Sequence, residues 1–261
     1  MSTAARTYLG SDAHWYSRNG DPCHTVPRSD GKGDRKTTLA DARKQGMLPS
    51  VTTILQVLDK PELNAWKQEQ AVLAVLSTAR LPGESLDAFV NRVLAVEKVQ
   101  DQEAGAARKL GLEIHRAIQD ALNDRKIPDL LLRPYVAPVL DWIAHTGQVL
   151  WTEKVLVGDG YAGKADLGLE TEGMILVTDF KSCTNLPTKD SWPEHRLQTA
   201  AYAACLENDK CKRIATANVY ISTRQPGKII SFIQFSWQIT YAHGFVPIKK
   251  VWQWLKEYDP S

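Results

Sequence analysis

Gly160-Tyr-Ala-Gly-Lys-Ala-Asp166-Leu-Gly168, followed after a short interval by Val177-Thr-Asp179-Phe-Lys181, is the stretch whose reading decides the fold. Both halves are rich in residues that favour strands, and Thr171-Glu172-Gly173 between them has the composition of a turn. Pairing the two strands antiparallel about Thr171-Glu172 sets position 166 opposite 177 or 178, so that Asp179 falls one or two residues from facing Asp166. Facing side chains on paired strands lie about 5 Å apart, and diagonal ones about 7 Å. Carboxylates that close repel one another unless a proton or cation lies between them. A hard divalent ion, Mg²⁺ or Mn²⁺, suits an all-oxygen set. Lys181 follows Asp179 by two residues and therefore points to the same face, about 7 Å along the strand. A lysine there can stabilise charge developing on a phosphate or help activate water. An Asp-x-Lys triplet alone is better explained by a surface ion pair, because such triplets are common. The apolar run Ile175-Leu176-Val177 ahead of Asp179 favours a buried strand that delivers its charged end to a site.

Outward from this pair, strands are expected at 149–157, 161–170 and 174–180. A helix follows at 193–207, then strands at 214–222 and 229–237 and a closing helix at 246–258. On the N-terminal side the apolar spacing predicts helices. Ser50 is a fitting N-cap for a short segment over 51–58. Pro61 opens a second helix to about residue 79. Leu86, Phe89, Val90, Val93 and Leu94 mark a third, separated from a fourth over 102–123 whose stripe is Leu110, Ile114, Ile118 and Leu122. A fifth covers 135–145. Residues 1–48 form an arm with one hairpin, in which His14-Trp15-Tyr16 and His24-Thr25-Val26 flank Asn19-Gly20. Arg28 to Lys36 reads as a mobile loop. The expected fold class is α/β, a central mixed sheet flanked by helices. A single domain over 49–261 comprises a helical lead-in (49–147) and an α/β core (148–261).

The 261 residues include 32 basic and 30 acidic side chains, with 43% apolar residues. This excludes a disordered chain, a collagen, a coiled-coil rod and a binder that works by bulk positive charge. No apolar run reaches 18 residues, so no membrane span is expected. The polar N-terminus lacks a signal core, and four scattered cysteines give no disulfide framework, so a reducing, cytoplasmic setting is expected. No glycine-rich phosphate loop follows a strand, which argues against a nucleotide cofactor.

The motifs resemble those of the PD-(D/E)xK nuclease superfamily, in its RecB-like, phage-type exonuclease branch. Gly160 to Asp166 resembles the first acidic motif, with Ala165 in place of the proline, and Asp179-Phe180-Lys181 resembles D-x-K. Gln198-Thr-Ala-Ala-Tyr202 resembles the Q-x-x-x-Y helix. Gly111-Leu-Glu-Ile-His115 resembles the upstream G-x-x-x-H, with Gln119 where an acid often follows. Pro49-Ser-Val-Thr-Thr-Ile54 resembles the opening segment. The five come in family order over 49–205. The resemblance implies a restriction-endonuclease-like core and a Mg²⁺- or Mn²⁺-dependent deoxyribonuclease acting on single-stranded DNA or duplex ends, in phage or bacterial recombination or repair. His115, Asp166, Asp179 and the Phe180 carbonyl would ligate the metal, and Lys181 would be catalytic. Gln198 and Tyr202, four residues apart on one helix face, would orient Lys181 or touch the phosphate. A single-strand annealing or binding protein is an implied partner. Alternatives are a structure-specific endonuclease on the same fold and a non-catalytic DNA-binding derivative.

Around this site, Trp15, Tyr16, Tyr161 and Trp192 are candidates to stack bases, with ordinary packing as the competing explanation for at least half. Lys164, Lys189, Arg196, Arg224 and Lys228 are candidates for phosphate contacts or plain surface charge. Glu153 reads as a solvated strand residue. Cys183, Cys205 and Cys211 are too dispersed to favour an iron–sulfur cluster.

Overall fold

The computed structural model describes residues 13–59, 61–123, 129–206 and 213–261. They divide into two compact units, one made of 13–58 with 117–261, the other of 59–116. The first is α/β and is built on a five-stranded mixed sheet of order β5-β6-β7-β8-β9. Its strands are β5 (Gln148–Gly158), β6 (Tyr161–Thr171), β7 (Met174–Cys183), β8 (Arg213–Ser222) and β9 (Ile229–Gln234). Strands β5 to β7 form an antiparallel meander, β7 and β8 run parallel, and β8 and β9 are antiparallel. A parallel pair cannot be joined by a tight turn. The crossover contains α6 (Pro193–Ala204), which opens on a proline at its first position, where the missing N–H costs nothing.

Helix α6 lies against the sheet through a face of small residues. Ala200, Ala201 and Ala203 are fully buried, and they join Tyr161, Ala165, Val177, Trp237, Phe245 and Trp252 in one cluster. On its outer side α6 meets α7 (Trp237–Thr240) and a π-helical turn (Tyr241–Phe245), which leads into α8 (Val246–Lys256). Gly244 is needed in that turn because a Cβ there would strike Leu197. Helix α5 (Arg133–Thr146) touches β5, β6 and β8 through buried Val136, Val139 and Ile143.

The N-terminal segment supplies β1 (Trp15–Tyr16), β2 (Thr25–Pro27), β3 (Asp34–Lys36), α1 (Leu39–Gln45), β4 (Leu48–Pro49) and α2 (Val51–Leu55). Thr38 and Asp41 form a capping box on α1. Ser50 caps α2 as expected, its hydroxyl accepting from the Thr53 N–H at 2.9 Å. Two expectations for this segment hold only in part. The chain does turn back at Asn19-Gly20, but the pairing there is one antiparallel bridge, and the named ladders lie elsewhere: β1 pairs with β4, and β2 pairs with β3. The two sides are linked by the antiparallel Tyr16–Pro22 bridge, by the Ser17 N–H to Asp21 carbonyl and Cys23 N–H to Trp15 carbonyl bonds, and by the Trp15 N–H on His24 Nδ1 at 3.2 Å. Residues 34–36 are a strand paired with 25–27 rather than part of a loop, and the connecting loop 28–33 is closed by the Arg28 N–H on the Gly33 carbonyl. The left-handed Gly31 and Gly33 make that turn.

In the second unit, α3 (Pro61–Ser77) starts at its proline as expected. The two helices anticipated over 86–94 and 102–123 are instead one element, α4 (Leu86–Leu122), whose last turns lie in the first unit. The stretch between them, Ala95 to Asp101, holds good helix formers and neither glycine nor proline, so nothing stops the helix. The predicted strand over 229–237 ends at 234, and Trp237 begins α7.

Candidate active site

The β6–β7 turn sets the register of the site. Glu172 and Gly173 have φ of 48° and 72°, the two left-handed positions of a two-residue hairpin turn. Thr171 therefore pairs with Met174, and the ladder runs to Leu167 with Thr178. Continued one step, it sets Asp166 opposite Asp179. The sequence placed 166 opposite 177 or 178, because it put the turn one residue too early. At this point backbone pairing stops and a side chain takes over: Asp166 Oδ2 accepts the Phe180 N–H at 2.7 Å. Across the other edge of β7, Asp179 pairs with Asn218 and Lys181 with Tyr220.

Asp179 is almost fully buried, and Lys181 is three-quarters buried. The Lys181 ammonium lies 2.7 Å from Asp179 Oδ2. Its approach is poorly aligned for a hydrogen bond, so this oxygen has no well-directed donor among the described residues. The other oxygen, Oδ1, accepts from Gln198 Nε2 at 3.2 Å, and the same amide donates to Tyr202 Oη at 2.9 Å. Both residues stand on α6, one turn apart and buried. Gly163 makes room for the Tyr202 ring: a Cβ at 163 would lie 2.5 Å from Tyr202 Cε1.

Burial, and then the Asp179 charge, push the Asp166 carboxyl well above the usual carboxylate range, against the opposing pull of Lys181 and the Phe180 N–H. Burial by itself would lower the Lys181 ammonium, but the Asp179 and Asp166 charges outweigh it and the net shift is upward. Burial, reinforced by Asp179, holds the Tyr202 hydroxyl well above its ordinary range. Two facing carboxylates with one lysine form an excess of buried negative charge, which a divalent cation relieves. The poorly satisfied Asp179 Oδ2 is an oxygen suited to that cation. Among the described residues no three His, Cys, Asp or Glu side chains group to hold a metal. A metal on Asp166 and Asp179 would need the Phe180 carbonyl and water to complete its oxygen shell.

The structure thus brings together Asp166, Asp179, Phe180, Lys181, Gln198 and Tyr202. Gln198 and Tyr202 meet Asp179 rather than Lys181. His115 falls in the other unit, on α4, where it is half-buried.

Of the four aromatic candidates, Trp15, Tyr16 and Tyr161 are core residues, the last donating its hydroxyl to the Ala201 carbonyl at 2.9 Å. Their apolar rings filled space that the sequence alone assigned to loops. Trp192 remains 38% exposed and packs edge-on to His195 and Tyr220. Ser191, Asn218, His195 and Tyr220 beneath it form a hydrogen-bonded polar cluster beside the Lys181 strand. Arg196 pairs with Asp190 and Lys164 with Glu153, whereas Lys189, Arg224 and Lys228 are exposed. Cys183 and Cys205 are free thiols that burial pushes up to about 11 and about 12. Cys211 lies outside the described residues. Glu153 lies opposite Asp166 in the β5–β6 register, a proximity that no pattern in the linear sequence announces.

No family model and no curated protein matches the chain. Among solved structures, the one described as "Crystal structure of SSO0001" aligns with 76% of this chain and 88% of that one, at 15% identity and a TM-score of 0.31. A likeness that slight carries no argument about function.

Proposed function

We propose that the chain is a metal-dependent nuclease with a PD-(D/E)xK core, hydrolysing DNA from single-stranded or duplex ends. The observation that carries this reading is the meeting of Asp166 and Asp179 where the β6–β7 ladder ends, with the Lys181 ammonium 2.7 Å from Asp179. Asp166, Asp179 and the Phe180 carbonyl would hold Mg²⁺ or Mn²⁺. The cation would supply Lewis-acid polarisation of a phosphodiester and positive charge where phosphate must approach. Gln198 fixes the Asp179 carboxylate through Oδ1 and leaves Oδ2 turned to Lys181. Tyr202, wedged over Gly163, fixes Gln198. Lys181 places a second positive charge beside the site, where it stabilises charge on the phosphate oxygens. The proposed site uses carboxylates, a lysine and a cation, which engage the phosphate backbone and not base edges, so the proposed cleavage is independent of sequence.

The test incubates end-labelled single-stranded, duplex and closed circular DNA with Mn²⁺, using wild type and Lys181→Ala. Wild type should shorten linear DNA and spare circles. Lys181→Ala should lose about 100-fold or more in rate while staying folded. Circles cut as fast as linear DNA would make the protein an endonuclease. DNA bound but left intact under all conditions would reduce it to a binding module.

A further inference from the structure

We infer that the left-handed backbone at Glu153 is a positioning element for Asp166, reversing the pleat of β5 and β6 so that Asp166 shares a sheet face with Asp179. The inference deepens the nuclease reading and rests on it only for its activity readout. Side chains alternate along a strand, so residues five apart point to opposite faces. Both strands break this rule at one place. In β6, a Cβ at Gly163 would strike Tyr202, and a Cβ at Gly168 would strike Trp151. Tyr202 belongs to the cluster under α6, and Trp151 packs against that same cluster. Val177, the register partner of Gly168, is also a member. Gly163 and Gly168 therefore share the α6 face although they are five apart. In β5, Leu156 and Trp151 are likewise five apart, and both pack into this cluster.

No residue is inserted between these points. The register is the same on either side, Lys154 with Ala165 and Thr152 with Leu167, so this is not a bulge. The reversal occurs in both strands at once, where Glu153 faces Asp166. Glu153 has φ of 49°, and no other residue of β5 or β6 has a positive φ. That conformation is uncommon for a residue with a Cβ. Its consequence is specific. Had the phase set by Gly163 continued, Asp166 would point away from α6, and Gln198, Tyr202 and Asp179 would lack their second carboxylate. With the reversal, the slot for Tyr202 and the acid at 166 occupy one face. The Glu153 carboxylate is turned to Lys164, so the side chain is engaged elsewhere.

The experiment compares Glu153→Gly, Glu153→Gln and Glu153→Val in the full chain. Glycine takes the left-handed region freely, and glutamine takes it as glutamate does. A β-branched residue is excluded from it. Glu153→Gly and Glu153→Gln should keep wild-type kcat and KM on single-stranded DNA. Glu153→Val should lower kcat about 100-fold with KM unchanged, the scale for a misplaced reacting group. Independently of activity, the Phe180 amide should be protected from hydrogen exchange in wild type, Gly and Gln, and unprotected in Val, with the other sheet amides unaltered. If Glu153→Val does not fold, Glu153→Thr, β-branched but polar, replaces it with the same losses expected in both readouts. A fully active Val variant with a protected Phe180 amide would overturn the inference. Equal losses in Gly, Gln and Val would also overturn it, assigning the role to the carboxylate. A wild type that cleaves no DNA would defeat the nuclease reading, while Phe180 exchange would still decide the placement of Asp166.

Discussion

Gly163→Ala adds a single methyl group in the place where the strand passes beneath Tyr202. The new Cβ would lie 2.5 Å from Tyr202 Cε1 and 3.3 Å from Val51 Cγ2. Contacts between carbons are favourable only near 3.5–4.0 Å, so the ring must retreat by about 1 Å. It has little room, being packed among Ala200, Ala201 and Val51 in the cluster under α6. The backbone at 163 is not left-handed, so the cost is steric alone. Overpacking of this kind costs about 1–3 kcal/mol. A displaced Tyr202 also pulls on Gln198, which it accepts from at 2.9 Å, and through it on Asp179 Oδ1. Gly163→Ala should therefore lower the urea midpoint without changing the slope, and lower kcat in parallel. Tyr202→Phe should not relieve the clash, because the ring remains. Tyr202→Leu should relieve it, giving a coupling free energy with Gly163→Ala of about 1 kcal/mol or more in the double-mutant cycle. Gly163→Ala at wild-type stability, with no coupling to Tyr202→Leu, would refute the reasoning.

Two further outcomes are expected. The folded state holds the Asp166 carboxyl above its unfolded value, so it binds the proton more tightly than the unfolded chain does. Metal-free protein should therefore lose stability as pH rises from about 4 toward the raised folded value. Asp166→Asn or saturating Mn²⁺ should flatten this slope in thermal melts, and a slope of opposite sign in the metal-free wild type would contradict the charge arrangement. Away from the site, buried Lys249 donates to the Asp159 carbonyl at 2.6 Å and lies 3.2 Å from Asp159 Oδ2, tying α8 to the β5–β6 turn. Lys249→Met should cost about 1–3 kcal/mol in chemical unfolding and leave activity unaltered, because it removes the charge-assisted hydrogen bond from Lys249 to Asp159.

Much of this was legible in the chain. The strands around Asp166 and Asp179, the helix carrying Gln198 and Tyr202, and the Ser50 cap all declare themselves through local composition and period. So does the α/β class, since alternating strand and helix patterns depend on neighbouring residues only. The candidate carboxylates and the lysine were also readable, because i and i+2 on a strand share a face wherever the strand lies. What failed locally did so for physical reasons. The single helix α4 was split because an apolar stripe can lapse while helix propensity persists. The ladders of the arm, β1 with β4 and β2 with β3, were missed because strands of two or three residues carry no register of their own and take partners by burial. Three aromatics expected near loops went into the core for the same reason.

The tertiary structure alone decided how the site is assembled. Whether Asp166 faces Asp179 depends on a one-residue choice of turn, made by two left-handed backbones at Glu172 and Gly173. Whether Asp166 shares a face with the Tyr202 slot depends on a third, at Glu153. That Gln198 grips Asp179 rather than Lys181 depends on how α6 settles over a glycine. The sequence by itself determined which chemical groups are available and on which elements they ride, because those properties follow from nearest neighbours. Their meeting is long-range: it is fixed by strand phase and side-chain volume, quantities that exist only once distant segments have packed.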